Sequence, residues 1–136
     1  MKTFTTCLTF DGNCREAMTF YRDCFGAELQ LTAFSQMHGD IAKEAADRIM
    51  HARLVEGSRM LMASDTMPGM PFQRGNNVSI AIECESLPEI ERLFTALSQK
   101  GTVEMPPTDA PWGARFGMLT DRYGTRWLLN YELPKA

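Results

Sequence analysis

Apolar and polar positions in the first half of the chain predict a strand, a helix, a second strand and a hairpin. Residues 3–10 alternate loosely, as a strand does, and residues 13–24 place apolar side chains at the three-and-four spacing of a half-buried helix. Gly26 follows, where a left-handed glycine commonly ends a helix. Residues 28–36 predict the second strand. The hairpin pairs residues 49–55 with 58–64 across Glu56-Gly57.

The second half repeats this order. Residues 77–84 predict a strand and residues 87–99 a helix that Gly101 stops. A short strand at 102–105 and a loop at 106–113 follow, and a closing hairpin pairs 114–120 with 125–131. Two βαβββ modules predict an α+β fold with a curved mixed sheet in each module and the helices packed outside. We expect one domain over 1–136, with the first repeat at about 1–66 and the second at about 76–136.

Both predicted helices begin with the pattern of a capping box. Asn13 with Glu16 opens the first, and Ser86 with Glu89 opens the second. In such a pair the small polar side chain accepts a free backbone N–H, and the Glu three residues later reaches back to the cap. Between the second predicted strand and the hairpin, residues 39–48 fit either a short helix or a mobile loop.

Charge and hydropathy exclude two classes of partner. The chain has 136 residues and a net charge of −3, and its Lys and Arg residues are scattered, so we expect no nucleic acid. No apolar run approaches the roughly 20 residues of a membrane span. Residues 1–3 lead directly into a strand pattern and not into a signal peptide, which indicates a cytoplasmic protein that binds no membrane.

The four cysteines have two interpretations. In an exported protein they would suggest two disulfides, whereas a reducing cytoplasm favours free thiols. They show no CxxC spacing, and the absence of an export signal favours free thiols; Cys7 is expected close to any cavity formed by the first strand. The four are Cys7, Cys14, Cys24 and Cys84.

Short motifs, taken in order, resemble the vicinal oxygen chelate superfamily, and within it the PhnB-like branch. They are Phe20-Tyr21 before Phe25-Gly26-Ala27, Met50-His51-Ala52 leading a hairpin that closes on Ser64-Asp65, and Asp121-Arg122-Tyr123-Gly124-Thr125-Arg126-Trp127 followed by Asn130. The superfamily includes glyoxalase I, bleomycin-resistance proteins and extradiol dioxygenases. The resemblance implies a glyoxalase/bleomycin-resistance-like fold and a homodimer.

The resemblance also locates the superfamily's metal ligands, two in each half. By strand position they fall at Thr6, Met62, Ser79 and Leu128. The enzymes of the superfamily use His and Glu there, whereas hydroxyl and thioether groups hold such divalent ions poorly. We therefore expect no metal and no cofactor, and a small-molecule-binding protein or a metal-independent enzyme. The alternative is a metal-dependent lyase, isomerase or dioxygenase with substitute ligands around His51, together with Glu83 and Glu132.

The same positions predict a ligand pocket of mostly apolar character. Strand alternation adds neighbours on the same strands, and the lining becomes Thr6, Leu8, His51, Met60, Met62, Ser79 and Leu128. His51 is the candidate catalytic residue, as a general base or a polar anchor. Its other interpretation is a histidine hydrogen-bonded within the sheet. The ten methionines fit either a core or an adaptable cavity lining.

Three arginines on predicted strands also have two interpretations. Arginine over a pocket can bind a carboxylate or a phosphate through two parallel hydrogen bonds. It can equally extend its stem over apolar surface and leave its charged end in water. The three are Arg53, Arg59 and Arg126.

Overall fold

The computed structural model describes residues 1–36 and 43–135, and they form eight strands and two helices. The strands are β1 (Cys7–Phe10), β2 (Glu28–Ala33), β3 (Ile49–Glu56), β4 (Arg59–Asp65), β5 (Ile80–Glu83), β6 (Thr102–Ala110), β7 (Ala114–Thr120) and β8 (Arg126–Glu132). The helices are α1 (Cys14–Phe25) and α2 (Leu87–Leu97), and single 3₁₀ turns lie at Phe34–Gln36 and Lys43–Ala45. Within the described residues, neither helix is long and apolar enough to cross a membrane.

The chain divides into two compact units, Met1–Gln73 and Arg74–Ala136. In the first unit the strands lie in the order β1-β4-β3-β2. β1 runs parallel to β4, and the other neighbours are antiparallel. Helix α1 packs against β2, β3 and β4. Its buried stripe includes Ala17, Met18 and Tyr21, at the spacing that the sequence predicts for a helix with one buried side.

The second unit has the same topology. Its strands lie in the order β5-β8-β7-β6, with β5 parallel to β8 and the remaining pairs antiparallel. Helix α2 packs against β6, β7 and β8 and buries Ile90, Leu93, Phe94 and Leu97. The predicted α+β class and the duplicated βαβββ order are confirmed. The prediction that both repeats form one domain over 1–136 stays a prediction.

The two helices begin in different ways. At α2, the Ser86 side chain accepts the Glu89 backbone N–H, and Glu89 accepts the N–H of Glu85, so the predicted capping box is confirmed. At α1, Asn13 makes no side-chain capping bond, and that prediction is wrong. The Asp65 carboxylate at the end of β4 instead accepts the Cys14 N–H at 3.0 Å. The same carboxylate oxygen accepts the N–H of Gly12 at 2.8 Å.

Strand β6 is longer than predicted. The sequence favoured a strand at 102–105 and a loop at 106–113, because two successive prolines cannot donate to a ladder. In the structure β6 continues to Ala110, with register shifts between Val103 and Met105 and between Met105 and Thr108. Among the described strands, β6 is an edge strand with β7 as its single neighbour, and an edge position tolerates both the prolines and the irregular register.

Helix α2 ends before Gly101 and for a different reason than expected. Its C-cap is Ser98, and the residue with positive φ is Lys100, at 59°. A Cβ on Gly101 would lie 2.5 Å from the Thr120 carbonyl oxygen, so this glycine permits close approach of two backbones. By contrast, Gly26 has φ of 63° and ends α1 in the predicted left-handed conformation.

Three further predictions concern the first two strands and residues 38–48. Strand β2 ends at Ala33, and residues 34–36 form a turn where the sequence predicted a continuing strand. Of residues 39–48, those from 43 onward contain the 3₁₀ turn, whereas 39–42 and His38 lie outside the described residues. The first strand begins at Cys7 and not at residue 3.

Candidate functional site

The first sheet has a helix face, packed against α1, and an opposite face that we call the first far face. Residues paired across neighbouring strands point to the same side of a sheet. Ala52 pairs with Ala63, and both are fully buried, which identifies the helix face. Arg53 pairs with Met62 and Met62 with Cys7, so these three side chains lie on the first far face.

Three of the predicted site residues share the first far face. Met60 and Met62 lie two residues apart on β4, and His51 lies two residues before Arg53 on β3. Both methionines are half-buried, and the His51 side chain is exposed. The structure therefore brings the methionines and the histidine to one surface, as the strand alternation predicted.

Leu8 does not share that surface, and the prediction that it does is wrong. Leu8 pairs with Ala63 on the helix face, and Phe10, two residues later, is 3% exposed. Thr6 lies just before β1, where its carbonyl accepts the Met62 N–H at 3.0 Å, and alternation puts its side chain on the side of Leu8. The residue opposite Met62 is Cys7, one position later than the resemblance placed it.

This one-residue shift has a signal in the sequence. Leu8 and Phe10 are the apolar positions of β1, whereas Cys7 and Thr9 are exposed. In a strand covered on one side by a helix, the larger apolar side chains face the helix. Applied to β1, this rule puts Cys7 and Thr9 on the first far face and Thr6 and Leu8 on the other side.

Polar groups surround the methionines on the first far face. The Arg53 Nε–H donates to the Met60 sulfur at 3.1 Å. Gln30 on β2 is the partner of Arg53, and Thr32 is the partner of His51. The centre of the face is therefore apolar and formed by methionine side chains, and the side toward β2 carries hydrogen-bonding groups.

The second sheet is arranged in the same way, and its second far face carries Leu128. Leu128 lies between Ala81 on β5 and Met118 on β7. Ser79 precedes β5 by one residue, and alternation puts it on the side of Ala81. The second-unit members of the predicted pocket thus share one face. That they line a common pocket with the first-unit members stays a prediction.

The two ends of the second far face are polar and aromatic. At one end the Asn130 Nδ2–H donates to Glu83 at 3.0 Å, and Phe116, the partner of Asn130, contacts Trp112 edge-to-face at 5.5 Å between ring centres. At the other end Arg126 forms an ion pair with Glu104 at 3.4 Å. The Arg126 Nε is buried without a hydrogen-bond partner among the described residues.

Two buried carboxylates organise the backbone around these sheets. Asp65 accepts the N–H groups of Gly12, Cys14 and Ile49. Asp121 accepts the Trp127 indole N–H at 2.8 Å. Asp121 also accepts the backbone N–H groups of the turn before β8, at Tyr123 and Thr125. These bonds give both aspartates a structural role.

The thiols differ in exposure, and their burial sets the chemistry of two of them. Burial raises the pKa of Cys14 to about 12, and burial raises the pKa of Cys84 to about 11. A thiol with so high a pKa is scarcely ionised at neutral pH and is a poor nucleophile. Cys7 is exposed, and all four cysteines are free thiols.

The side chains on the far faces do not fit the metal site of the superfamily. Met62 has a thioether side chain, and its partner Cys7 has a thiol. Leu128 and its partner Ala81 have hydrocarbon side chains. Divalent ions of this kind are held by imidazole and carboxylate groups. The described part of the chain contains no group of three or more His, Cys, Asp or Glu side chains that could hold a metal ion.

Comparison with known proteins identifies the family. Residues 2–130 match the family described as 3-demethylubiquinone-9 3-methyltransferase. The Escherichia coli protein YjdN is 29% identical over 138 residues, covering 90% of this chain and 90% of its own. The crystal structure of protein PA1353 from Pseudomonas aeruginosa is 41% identical, with a TM-score of 0.87 over 97% of this chain and 100% of that one.

Two further structures extend the comparison. The PhnB protein from Bacillus cereus is 28% identical, with a TM-score of 0.79 over 96% of this chain and 99% of that one. A glyoxalase-related enzyme from Fulvimarina pelagi is 15% identical and shares the fold, with a TM-score of 0.61 over 97% of this chain and 89% of that one. The chain therefore belongs to the 3-demethylubiquinone-9 3-methyltransferase family, and it shares its fold with the glyoxalase-related structure.

Proposed function

We propose that the protein binds a small organic molecule without the aid of a metal ion, as a binding protein or as a metal-independent enzyme. The observation that supports this function is the character of the far faces at Met62 and Leu128. The resemblance assigns a metal-binding Glu near each of these positions. A thioether and a hydrocarbon stand there, in two sheets of the same topology.

The far faces offer what an uncharged part of an organic ligand needs. Met60 and Met62 on the first, and Met118 and Leu128 on the second, are half-buried apolar side chains next to polar groups. Small-ligand sites are commonly lined in this way, with a few polar groups that fix orientation. Methionine side chains adapt to varied apolar shapes, which suits a ligand that makes few directional contacts.

We assign the ligand-contacting role to His51, Met60 and Met62 in the first unit, and to Ser79 and Leu128 in the second. His51 remains the candidate for proton transfer if the protein is an enzyme, because its imidazole is exposed on the same face as both methionines. We leave Thr6 and Leu8 out of the proposed set, because strand alternation puts both on the helix face. Cys7, which lies opposite Met62 on the first far face, replaces them.

A metal assay tests the first half of this proposal. The protein is incubated with Mn²⁺, Ni²⁺, Zn²⁺ or Fe²⁺, desalted and analysed for bound metal. We expect less than about a tenth of an equivalent per chain, because the donors present hold such ions poorly. One equivalent of metal that is lost in His51→Ala would overturn the metal-independent function and support the alternative enzyme.

A ligand screen tests the second half. Small organic acids and apolar compounds are screened for a rise in melting temperature, since a ligand that binds only the folded state stabilises it. We expect at least one compound whose effect is reduced in Met62→Gln. The matched control is Met70→Gln, because Met70 is 57% exposed and lies outside both sheets. An equal reduction in both variants would contradict a site at Met62.

We also propose that the protein is a cytoplasmic homodimer. Free thiols at all four cysteines suit a reducing compartment. The homodimer follows from the resemblance.

A further inference from the structure

Arg53 differs from the other strand arginines in what its guanidinium contacts. Arg59 pairs with Glu56, Arg115 with Glu91 and Arg126 with Glu104. Among the described residues, Arg53 pairs with no carboxylate, and its Nε–H donates to the Met60 sulfur. An exposed positive charge on the first far face is therefore left without a counter-ion from this part of the chain.

The contact with Met60 leaves most of the guanidinium free to bind something else. A thioether is a weak acceptor, and a guanidinium has five N–H donors. The bond at Nε holds the side chain over β4, and the four terminal N–H groups remain for a ligand.

Further hydrogen-bonding groups lie next to Arg53. His51 lies two residues away on β3, at a spacing of about 6.6 Å along a strand. Gln30 pairs with Arg53 and Thr32 with His51, and paired side chains start about 5 Å apart. Glu28 also lies on this face, opposite Val55 at the far end of β2, and it forms no ion pair with Arg53.

We propose that Arg53, with His51, Gln30 and Thr32, binds the oxyanion head group of a small organic acid. The head group is a carboxylate or a phosphate ester. Arginine binds both through two parallel charge-assisted hydrogen bonds. The neighbouring imidazole, amide and hydroxyl donate to the remaining oxygen atoms. This site deepens the proposed function, on which it rests, by giving the ligand a negative end.

The rest of such a ligand lies over the methionines. Met60 and Met62 adjoin Arg53, one through the bond to its Nε and the other as its cross-strand partner. An alkyl or aromatic body of the ligand removes their half-exposed surface from water, which favours binding in proportion to the apolar area buried. The site therefore selects amphiphilic acids over both simple inorganic anions and neutral analogues.

The experiment compares four probes that separate charge, head group and body. Octanoate and octyl phosphate carry the two head groups, octanamide has the same body without charge, and inorganic phosphate has charge without a body. Binding is measured by titration calorimetry, and the location by amide shifts in ¹H–¹⁵N spectra. We expect octanoate or octyl phosphate to bind, with the largest shifts in β3 and β4, and the tighter of the two identifies the head group.

Arg53→Gln and Arg59→Gln form a matched pair of variants. Each removes one positive charge from an exposed arginine of the same hairpin, and Arg59 already has Glu56 as a partner. We expect Arg53→Gln to weaken octanoate or octyl phosphate binding by about tenfold or more, as for loss of a charge-assisted hydrogen bond. Arg59→Gln leaves the affinity within about twofold, because Arg59 alternates with Met60 on β4, lies away from the first far face and already pairs with Glu56. His51→Gln weakens it by about threefold.

Several results would overturn the oxyanion site. One is that neither acid binds, and another is that octanamide binds as tightly as octanoate. The third is that Arg53→Gln and Arg59→Gln lower the affinity equally. If the acids bind and only Met62→Gln weakens them, the oxyanion site is wrong and the proposed function stands. If one equivalent of metal binds at His51, the proposed function is wrong, whatever the effect of Arg53→Gln.

Discussion

At the scale of single residues, one carboxylate joins two segments of the first unit to the end of β4. Asp65 at the end of β4 accepts N–H groups from the residues before and at the start of α1, and from Ile49 at the start of β3. Cys14 and Ile49 lie 51 and 16 residues from Asp65 in sequence. Asp65 is 5% exposed, so water cannot replace these bonds if the carboxylate is lost.

We predict that Asp65→Asn lowers the free energy of unfolding by about 2–4 kcal/mol, because the amide keeps one accepting oxygen and turns its NH₂ donor toward a buried N–H, which is left unsatisfied. Urea unfolding followed by circular dichroism measures the change. The control is Asp23→Asn, whose carboxylate is 67% exposed and pairs with the adjacent Arg22. A surface pair contributes little, and we expect a change within about 0.5 kcal/mol. Equal losses in both variants would contradict the structural role of Asp65.

The thiols give a pH-dependent prediction at the same scale. Burial raises the pKa of Cys14 to about 12 and that of Cys84 to about 11, so the thiolate fraction of each stays small until the pH approaches those values. We expect iodoacetamide at pH 8 to label the exposed Cys7 first. In Cys7→Ser, we expect labelling of the folded protein to be slow at pH 8 and to accelerate as the pH rises above about 9.

Mass spectrometry of the labelled peptides measures this reactivity. Protein unfolded in urea serves as the control, since there all four thiols are accessible and react at similar rates. Fast labelling of Cys14 in the folded protein at pH 8 would contradict its burial.

At the scale of elements, the second unit depends on close approach between a helix end and a strand end. Gly101 joins α2 to β6, next to the end of β7, and its missing side chain lets the chain pass the Thr120 carbonyl. Gly117 does the same within β7, where a Cβ would lie 2.7 Å from the Phe94 ring of α2. Such contacts fix how the helix lies on its sheet.

We predict that Gly101→Ala destabilises the protein by about 1–3 kcal/mol, because a Cβ placed 2.5 Å from a backbone oxygen forces the backbone to shift. Thermal or urea unfolding measures the change. Gly75→Ala is the control, since its Cβ would meet only the Asn77 side chain at 3.3 Å and its φ is not positive. A larger loss of stability in Gly75→Ala than in Gly101→Ala would contradict the view that the close backbone contact requires glycine at position 101.

At the scale of the whole molecule, the two units have the same topology, and a different buried carboxylate stabilises each unit from within. In the first, Asp65 is the final residue of the last strand of the unit, β4. In the second, Asp121 lies in the turn before the last strand and accepts the Trp127 indole. The fold persists among structures from 41% down to 15% identity, so it depends on the pattern of apolar positions and turns more than on particular residues.

For the assembled protein, we predict a sedimentation mass of twice the 15.3 kDa chain, as the family resemblance implies for a homodimer. Sedimentation equilibrium at several protein concentrations measures this mass. A single species of one-chain mass at micromolar and higher concentrations would contradict the homodimer and leave the fold unaffected.

The sequence alone determined the elements, their order and the duplication, since periodicity and helix ends are local properties. Residues 13–24 and 87–99 show the buried stripe of a helix, and Gly26 ends α1 as predicted. The capping box at Ser86 could be predicted because its partners lie within four residues of one another. His51, Met60 and Met62 share a face because antiparallel neighbours in a hairpin keep their register across a short turn.

Only the tertiary structure decided contacts between distant parts of the chain. The parallel pairing of β1 with β4 joins residues that lie 55 apart in sequence, and no local pattern sets the register of this pairing to one residue. The structure puts Cys7, and not Thr6, opposite Met62. The cap of α1 comes from Asp65, 51 residues away, and Asn13 is left without that role. The length of β6 depended on its place at the sheet edge, where Pro106 and Pro107 interrupt no second ladder.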